Sequence, residues 1–176
     1  MSIPLTAPSA SARPAPAAPP PPPPPPRSAF ADLLSESRIL IWDEPLSRRD
    51  ILRHLAGAID GALAPVTPEF AVERMEAREA EGSTFLNEGV ALPHARLKGL
   101  AAPQVALGIT RAGVLDSPTA NPIEVVFMLL TPDGNASTPL RLLAAAGRTL
   151  QDRSLRKALA AAATAADALR VLRGVP

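Results

Sequence analysis

Apolar side chains recur at helical spacing in two parts of this chain and at strand spacing in most of the part between them. Leu52, Leu55, Ile59 and Leu63 are three or four residues apart, which places them on one face of a helix. Residues 104–110 instead carry branched apolar side chains at every second position, as a strand does. Helices towards both ends and strands in the middle predict an α/β domain, with a central mixed β-sheet flanked by helices on both faces.

Capping and breaking residues set the bounds of the predicted helices. Ser47 precedes a helix over residues 48–63, with Asp50 as its capping partner. Thr67 precedes a second helix, which has Pro68 at its first position and runs to about residue 80. The other predicted helices cover residues 28–37, 138–150, 152–163 and 164–172.

Four apolar runs predict the strands of the sheet. They cover residues 38–42, 90–92, 104–110 and 123–130. The last run is apolar except for Glu124, which is typical of a buried central strand.

The N-terminal segment has a different composition from the rest of the chain. Its first 26 residues hold 12 of the 22 prolines, including an unbroken run over residues 19–26. It has no acidic residue and too few large apolar side chains for a core, so polyproline II is its expected conformation. We predict a disordered tail over residues 1–27 and one folded domain over residues 28–176. A ligand for a proline-binding domain is the alternative interpretation of the tail.

Charge and composition exclude several classes of function. The folded part carries 16 basic and 17 acidic residues without a basic block, so nucleic acid is not an expected partner. Two histidines and no cysteine make a poor metal-ligand set, and no metal is expected. Neither a glycine-rich phosphate loop nor a Gly-x-Ser-x-Gly motif occurs, and no cofactor is expected. The apolar runs are too short to span a bilayer and no secretory signal is seen, so we expect a cytoplasmic protein without membrane insertion.

The main candidate for chemistry is the segment over residues 83–96, which reads Ser-Thr-Phe-Leu-Asn-Glu-Gly-Val-Ala-Leu-Pro-His-Ala-Arg. Within it, His94 follows a short apolar run and a proline, where a strand is expected to end. Imidazole is the side chain that acts as a neutral nucleophile near pH 7. His94 is therefore a candidate carrier of transferable charge. The other histidine, His54, is interpreted as a flank residue of the first long helix.

Three stretches of sequence together resemble a known family. They are Arg78-Glu79, the segment from Ser83 to His94 with its Gly-x-Ala-x-Pro-His core, and the apolar run over residues 125–132. Over about residues 33–173 the chain is similar to the IIA domain of the bacterial phosphotransferase system, fructose/mannitol type 2, and in particular to its nitrogen-regulatory branch. Such proteins fold as a central mixed sheet flanked by helices and carry a phosphoryl group on a histidine.

The resemblance implies a function and two site residues. His94 would accept a phosphoryl group from a small phosphohistidine carrier protein (HPr-like), and the chain would act on a regulatory target that the sequence does not identify. Arg78 matches the family arginine that steadies the phosphohistidine. Its planar guanidinium can donate two parallel hydrogen bonds to phosphate oxygens.

Further residues are candidates for binding the phosphoryl group, which adds roughly 1.5 to 2 negative charges. They are the hydroxyls of Ser83 and Thr84, and the backbone N–H groups around Asn87 to Gly89. Turn chemistry is an equal alternative for Ser83 and Thr84. Arg96 faces either incoming phosphate or solvent.

The chain departs from the family pattern at two positions. Asn87 stands where the family often has glycine, and asparagine tolerates left-handed geometry. Family members commonly carry a second histidine before a leucine at the start of the helix after the turn, where this chain has Pro139 in Thr-Pro-Leu-Arg. Proline suits a first helical turn but offers no hydrogen bond or charge. The alternative function is therefore a IIA-like binding module that has lost phosphotransfer and acts on a transporter or kinase.

Overall fold

The structure is a computed structural model, and it describes residues 30–86, 88–134 and 137–174. The predicted tail over residues 1–27 and the candidate residue Asn87 lie outside these ranges. No helix within the described ranges is long and apolar enough to cross a membrane.

The described residues form one mixed sheet of six strands. In chain order the strands are β1 (Ile39–Trp42), β2 (Phe85–Leu86), β3 (Val90–Ala91), β4 (His94–Leu97), β5 (Gln104–Thr110) and β6 (Val125–Pro132). Their order across the sheet is β1-β5-β6-β3-β2, and β4 also pairs with β6. β1 is parallel to β5, and both β3 and β4 are parallel to β6, whereas β5–β6 and β2–β3 are antiparallel. The predicted mixed sheet is confirmed.

The part of the chain that the structure describes also contains six α-helices. They are α1 (Arg48–Gly57), α2 (Asp60–Leu63), α3 (Pro68–Glu81), α4 (Ser137–Leu150), α5 (Arg153–Ala161) and α6 (Ala165–Arg173). The predicted caps are confirmed: the Ser47 hydroxyl accepts from the Asp50 N–H, and the Thr67 hydroxyl accepts from Phe70. At α6, Thr164 and Asp167 form a reciprocal capping box.

Each face of the sheet packs on a separate group of helices. Along β6, alternate side chains enter the two cores, as the two-residue period of a strand requires. Val126, Met128 and Leu130 pack with α1, α2 and α3. Val125, Phe127 and Leu129 pack with α4, α5 and α6. β6 is therefore buried on both faces, as its apolar sequence predicts, and the expected layers of helices are confirmed.

Two predicted helices differ in the structure. The helix expected over residues 48–63 is divided into α1 and α2, because Ile59 leaves helical geometry (φ −119°, ψ 12°) while its side chain stays buried. Gly57 and Gly61 flank this break, and each disfavours an uninterrupted helix by about 1 kcal/mol relative to alanine. Residues 31–33 and 36–38 form two 3₁₀ turns instead of one short helix.

The strand around His94 also differs from the prediction. β3 ends at Ala91, and His94 opens β4, a separate strand in parallel register with β6. Pro93 separates the two strands because it has no N–H to donate to a ladder. Its carbonyl accepts from the Leu129 N–H at 3.0 Å, so the chain stays attached to β6 just before the histidine.

Candidate functional site

The His94 ring is held by the backbone two residues before it. Its Nδ1 lies 2.9 Å from the Leu92 carbonyl oxygen, and the side chain is half-buried. A carbonyl oxygen only accepts hydrogen bonds, so Nδ1 must carry the proton that is shared with Leu92. In the neutral ring this leaves the lone pair on Nε2, which has no hydrogen-bond partner within the described residues. The geometry therefore presents Nε2 as the nucleophilic atom.

His94 lines a cavity of about 630 Å³ between one helix, the sheet and the start of another helix. The described lining residues come from α3, from β4 with β6, and from α4. They are Arg74, Ala77, Arg78 and Glu81; His94, Ala95, Arg96, Leu129 and Thr131; and Pro139, Leu140 and Leu143. The cavity lining thus carries two arginines and one glutamate along α3, and it is apolar along α4.

Arg78 lies in the last turn of α3 and lines the same cavity as His94. The structure therefore brings together the two residues that the sequence resemblance implies for the reaction, although they are 16 positions apart. One guanidinium nitrogen, Nη1, donates to the Gly82 carbonyl at 3.0 Å. This bond fixes the group while its other N–H donors have no protein partner within the described residues.

Two further arginines line the cavity, and the sequence reasoning missed their joint arrangement. Arg74 lies four residues before Arg78 on α3, and Arg96 lies two residues after His94 on β4. Both spacings place a residue on the same face as its partner, so the signal was present in the sequence. Neither arginine has a hydrogen bond or ion pair within the described residues, and both are exposed. Arg96 lines the cavity and is also exposed, so both alternatives for it, incoming phosphate and solvent, stay open.

Ser83 and Thr84 are not among the residues that line the His94 cavity. The Ser83 hydroxyl donates to Glu79 Oε1 at 2.7 Å. The Thr84 N–H donates to Glu79 Oε2 at 2.7 Å, and its hydroxyl donates to the same oxygen. Ser83 instead lines a second cavity of about 380 Å³. The turn interpretation accounts for these bonds, and a phosphate role for either hydroxyl stays a prediction.

The second cavity contains an ion pair that connects α1 to the loop before β6. Asp116 accepts from the Arg48 backbone N–H at 2.7 Å and from its Nε at 3.1 Å. Burial alone would raise the pKa of Asp116, but these hydrogen bonds and the Arg48 charge outweigh it and lower that pKa below its ordinary value.

Gly89 has a structural reason for being glycine. Its φ is +83°, and a Cβ there would lie 3.3 Å from both Arg156 Nε and Glu124 Oε2. Those two atoms form an ion pair of 2.7 Å, and Arg156 is 8% exposed. The Gly89 carbonyl accepts from the Glu124 and Val125 N–H groups. Gly89 is not among the residues lining the His94 cavity, so its proposed contact to phosphate also stays a prediction.

Pro139 lines the cavity that contains His94, whereas His54 does not. Pro139 is buried in the first turn of α4 and lines the His94 cavity, so the position that departs from the family pattern faces the candidate acceptor. His54 lies on α1 and stacks on Trp42 with 5.8 Å between ring centroids, and it is absent from the cavity lining. Within the described ranges, no group of three or more His, Cys, Asp or Glu side chains is arranged to hold a metal ion.

The site consists of a half-buried imidazole with one free nitrogen, and arginines line the same cavity at the edge of the mixed sheet. The class of protein is therefore an α/β domain suited to holding an anion at a histidine. The family model for the phosphoenolpyruvate-dependent sugar phosphotransferase system, EIIA 2, matches residues 32–174. This chain therefore belongs to that EIIA type 2 family.

Individual relatives agree with this assignment. A nitrogen regulatory protein of Pseudomonas aeruginosa is 30% identical over 134 residues, which cover 76% of this chain and 87% of that protein. The crystal structure of nitrogen regulatory protein IIA-Ntr from Neisseria meningitidis has a TM-score of 0.72 at 26% identity, covering 82% of this chain and 99% of that one. Enzyme IIA mannitol of Escherichia coli, solved in complex with phosphorylated enzyme IIB mannitol, shares the fold with a TM-score of 0.64 at 20% identity, covering 80% of this chain and 97% of that one.

Proposed function

We propose that this chain is a phosphocarrier and regulatory IIA protein, and that Nε2 of His94 accepts a phosphoryl group from a phosphohistidine of a small carrier protein (HPr-like). The observation that carries the proposal is the position of His94. Its Nδ1 proton is held by the Leu92 carbonyl, and its ring shares a cavity with Arg78. A free Nε2 lone pair beside a guanidinium is the arrangement that such a transfer needs.

The transfer exchanges one nitrogen–phosphorus bond for another. The Nε2 lone pair of His94 attacks the phosphorus, and the donor's N–P bond breaks as the new Nε2–P bond forms. The electron pair of the broken bond returns to the donor's ring nitrogen. His94 keeps its Nδ1 proton throughout, so its ring becomes positively charged on phosphorylation. The hydrogen bond to the Leu92 carbonyl stabilises that charge.

The arginines supply the charge that the phosphoryl group requires. A phosphoryl group adds roughly 1.5 to 2 negative charges near pH 7, and guanidinium groups bind its oxygens well. Arg78 is the fixed donor because Gly82 holds it, whereas Arg74 and Arg96 add exposed positive charge. The protein thus contributes positioning and charge stabilisation rather than bond chemistry of its own.

Pro139 motivates the alternative function, a binding module without phosphotransfer. We do not favour it, because the free Nε2 and the fixed Arg78 guanidinium are both retained at the cavity. In our proposal, Pro139 lacks the polar group that a histidine would supply at this position of the cavity wall. Transfer is therefore slower, but it is not abolished. Phosphate binding stays a prediction for four further residues, Ser83, Thr84, Asn87 and Gly89.

Partners and location are part of the same proposal. The exposed rim at His94 would receive the phosphohistidine donor first and a regulatory target afterwards. The mannitol relative, which shares the fold, was solved with a phosphorylated IIB protein, and by analogy we propose that the partners of this chain are also proteins. We place the carrier in the cytoplasm, and the absence of cysteine fits a reducing compartment.

Incubation with labelled phosphoenolpyruvate and the donor components tests the proposal. We expect acid-labile label on the wild-type chain and on the His54→Ala variant, and none on His94→Ala. An unlabelled wild-type chain would contradict the proposed phosphocarrier function and would favour the alternative, a binding module without phosphotransfer.

A further inference from the structure

We propose that Glu79 is a positioning residue that holds both His94 and Arg78 in their reactive geometry. This inference rests on the proposed function, since it concerns the same site. Glu79 is not among the residues lining the His94 cavity and would not touch a phosphoryl group there. Its carboxylate instead begins two hydrogen-bonded connections, one to each of the two reactive side chains.

The first connection leads to the histidine. Glu79 Oε2 accepts from the Thr84 N–H at 2.7 Å and from the Thr84 hydroxyl. The Thr84 carbonyl accepts from the Leu92 N–H at 2.9 Å. The Leu92 carbonyl then accepts from His94 Nδ1, also at 2.9 Å. The Leu92 carbonyl orients the imidazole and sets the tautomer of His94. A shift of Thr84 would move Leu92 through its N–H, and would move this carbonyl with it.

The second connection leads to the arginine. Glu79 Oε1 accepts from the Ser83 hydroxyl at 2.7 Å, so both residues that follow Gly82 are tied to one carboxylate. The Gly82 carbonyl accepts from Arg78 Nη1 at 3.0 Å. Fixing residues 83 and 84 therefore fixes the carbonyl on which the guanidinium rests.

Glu79 is itself held from the opposite side. Only 19% of its side chain is exposed, and Arg48 Nη1 lies 3.9 Å from its Oε1. Arg48 is fixed in turn by its two hydrogen bonds to Asp116 and lies over the Phe85 ring, 5.6 Å from the centroid. A side chain held in this way can impose its position on a turn rather than follow it.

The number of donors explains why a carboxylate suits this position. Three groups donate to Glu79, and a carboxylate accepts through both oxygens. Glutamine at this position would keep one oxygen for the two Thr84 donors, and its amide could donate to the Ser83 oxygen. Glu79→Gln therefore preserves the hydrogen-bond geometry while removing the charge, and Glu79→Ala removes both.

The experiment combines a rate with a spectrum. The initial rate of His94 labelling from the phosphohistidine donor measures transfer. Long-range ¹H–¹⁵N spectra of the unphosphorylated full chain measure the His94 tautomer, with His54 as an internal reference. Glu76→Ala is the matched control, because Glu76 lies on the same helix and pairs with the exposed Arg49 at 3.1 Å.

We expect Glu79→Ala to lower the labelling rate about 10- to 100-fold, as loss of a supporting residue commonly does. The same variant should show His94 with an increased share of the Nε2–H tautomer. Glu79→Gln should retain the wild-type tautomer and a rate close to that of the wild type, and Glu76→Ala should match the wild type in both readouts. A change of stability alone would leave the tautomer of the folded fraction unaltered.

Three results would overturn the inference: a wild-type tautomer and rate in Glu79→Ala, a Glu79→Gln protein as slow as Glu79→Ala, or an equal effect of Glu76→Ala. If Glu79→Ala does not fold, Thr84→Val takes its place, because it removes one of the three donors. An unchanged His94 spectrum in that variant would then contradict the inference. Absence of label on the wild-type chain would instead refute the proposed function, and the spectra would still test Glu79.

Discussion

The two histidines of this chain occupy contrasting surroundings. His94 is half-buried, and its Nδ1 bonds the Leu92 carbonyl at 2.9 Å. His54 is exposed on α1, stacks on Trp42, and has no side-chain hydrogen bond within the described residues. The two side chains have the same intrinsic chemistry, so the difference lies in the backbone acceptor and the neighbouring charges. In our proposal, an imidazole accepts a phosphoryl group when one of its nitrogens is fixed and cations line the cavity beside the other.

The largest expected effect on the labelling rate comes from an arginine near His94, and the matched control is an arginine near His54. Arg78→Gln removes the fixed guanidinium from the His94 cavity, and we expect the labelling rate to fall about 100-fold, as for loss of one preorganised donor. Arg53→Gln makes the same change beside His54, where Arg53 is exposed and lies 3.8 Å from Asp50. It should label at the wild-type rate. Equal rates for the two variants would show that the Arg78 guanidinium is not what distinguishes the two histidines.

Restoring a polar group at Pro139 should sharpen the contrast in the opposite direction. We expect Pro139→His to raise the labelling rate about tenfold, which corresponds to roughly 1.4 kcal/mol of added transition-state stabilisation. The reason is that an imidazole there would face the His94 cavity and donate to a phosphoryl oxygen. Ala144→His, an exposed position further along α4, is the control. A Pro139→His rate no higher than that of the control would refute our account of this departure from the family.

The exposed arginines should have smaller and salt-dependent effects. Arg74→Gln and Arg96→Gln should each lower the rate about two- to threefold at low ionic strength, since exposed charge interactions are worth ~0.5 kcal/mol. Salt screening should reduce these differences towards zero near 1 M, where the Debye length is about 3 Å. Arg148→Gln changes the same charge at an exposed position of α4 outside the cavity lining. If it slows transfer equally, only net charge matters.

The smallest expected effect is at His54 itself. His54→Ala should leave the labelling rate unchanged, because the ring is absent from the candidate site. It should nevertheless alter the fluorescence of Trp42, the single tryptophan of the chain and the residue on which His54 stacks. A labelling rate that falls together with the fluorescence change would mean that the His54 region takes part in transfer.

Local signals predicted much of this fold. The caps at Ser47 and Thr67 depend on residues three positions away, so the sequence alone was enough to locate them. The apolar run of β6 likewise predicted a strand buried on both faces. Agreement was good wherever the deciding contacts were near in sequence or the apolar pattern was continuous.

Non-local contacts account for what was missed. β4 is only four residues long and mixes polar and apolar side chains, and its pairing with β6 joins residues about 35 positions apart. The joint approach of Arg74 and Arg96 to His94 depends on that pairing and on the packing of α3 against it. Glu79 is a different case, because Ser83 lies only four residues away. Its contacts were missed because the sequence does not show which acceptor a turn hydroxyl bonds to.

The most direct measurement is to determine which ring nitrogen carries the phosphoryl group. Long-range ¹H–¹⁵N and ³¹P spectra of the phosphorylated chain can resolve this, since only two histidines contribute. We predict one phosphohistidine at Nε2 of His94, with the Nδ1 proton retained and the His54 signals unchanged. Phosphorylation at Nδ1 of His94 or at His54, or a chain that forms no phosphohistidine with active donor present, would contradict the account.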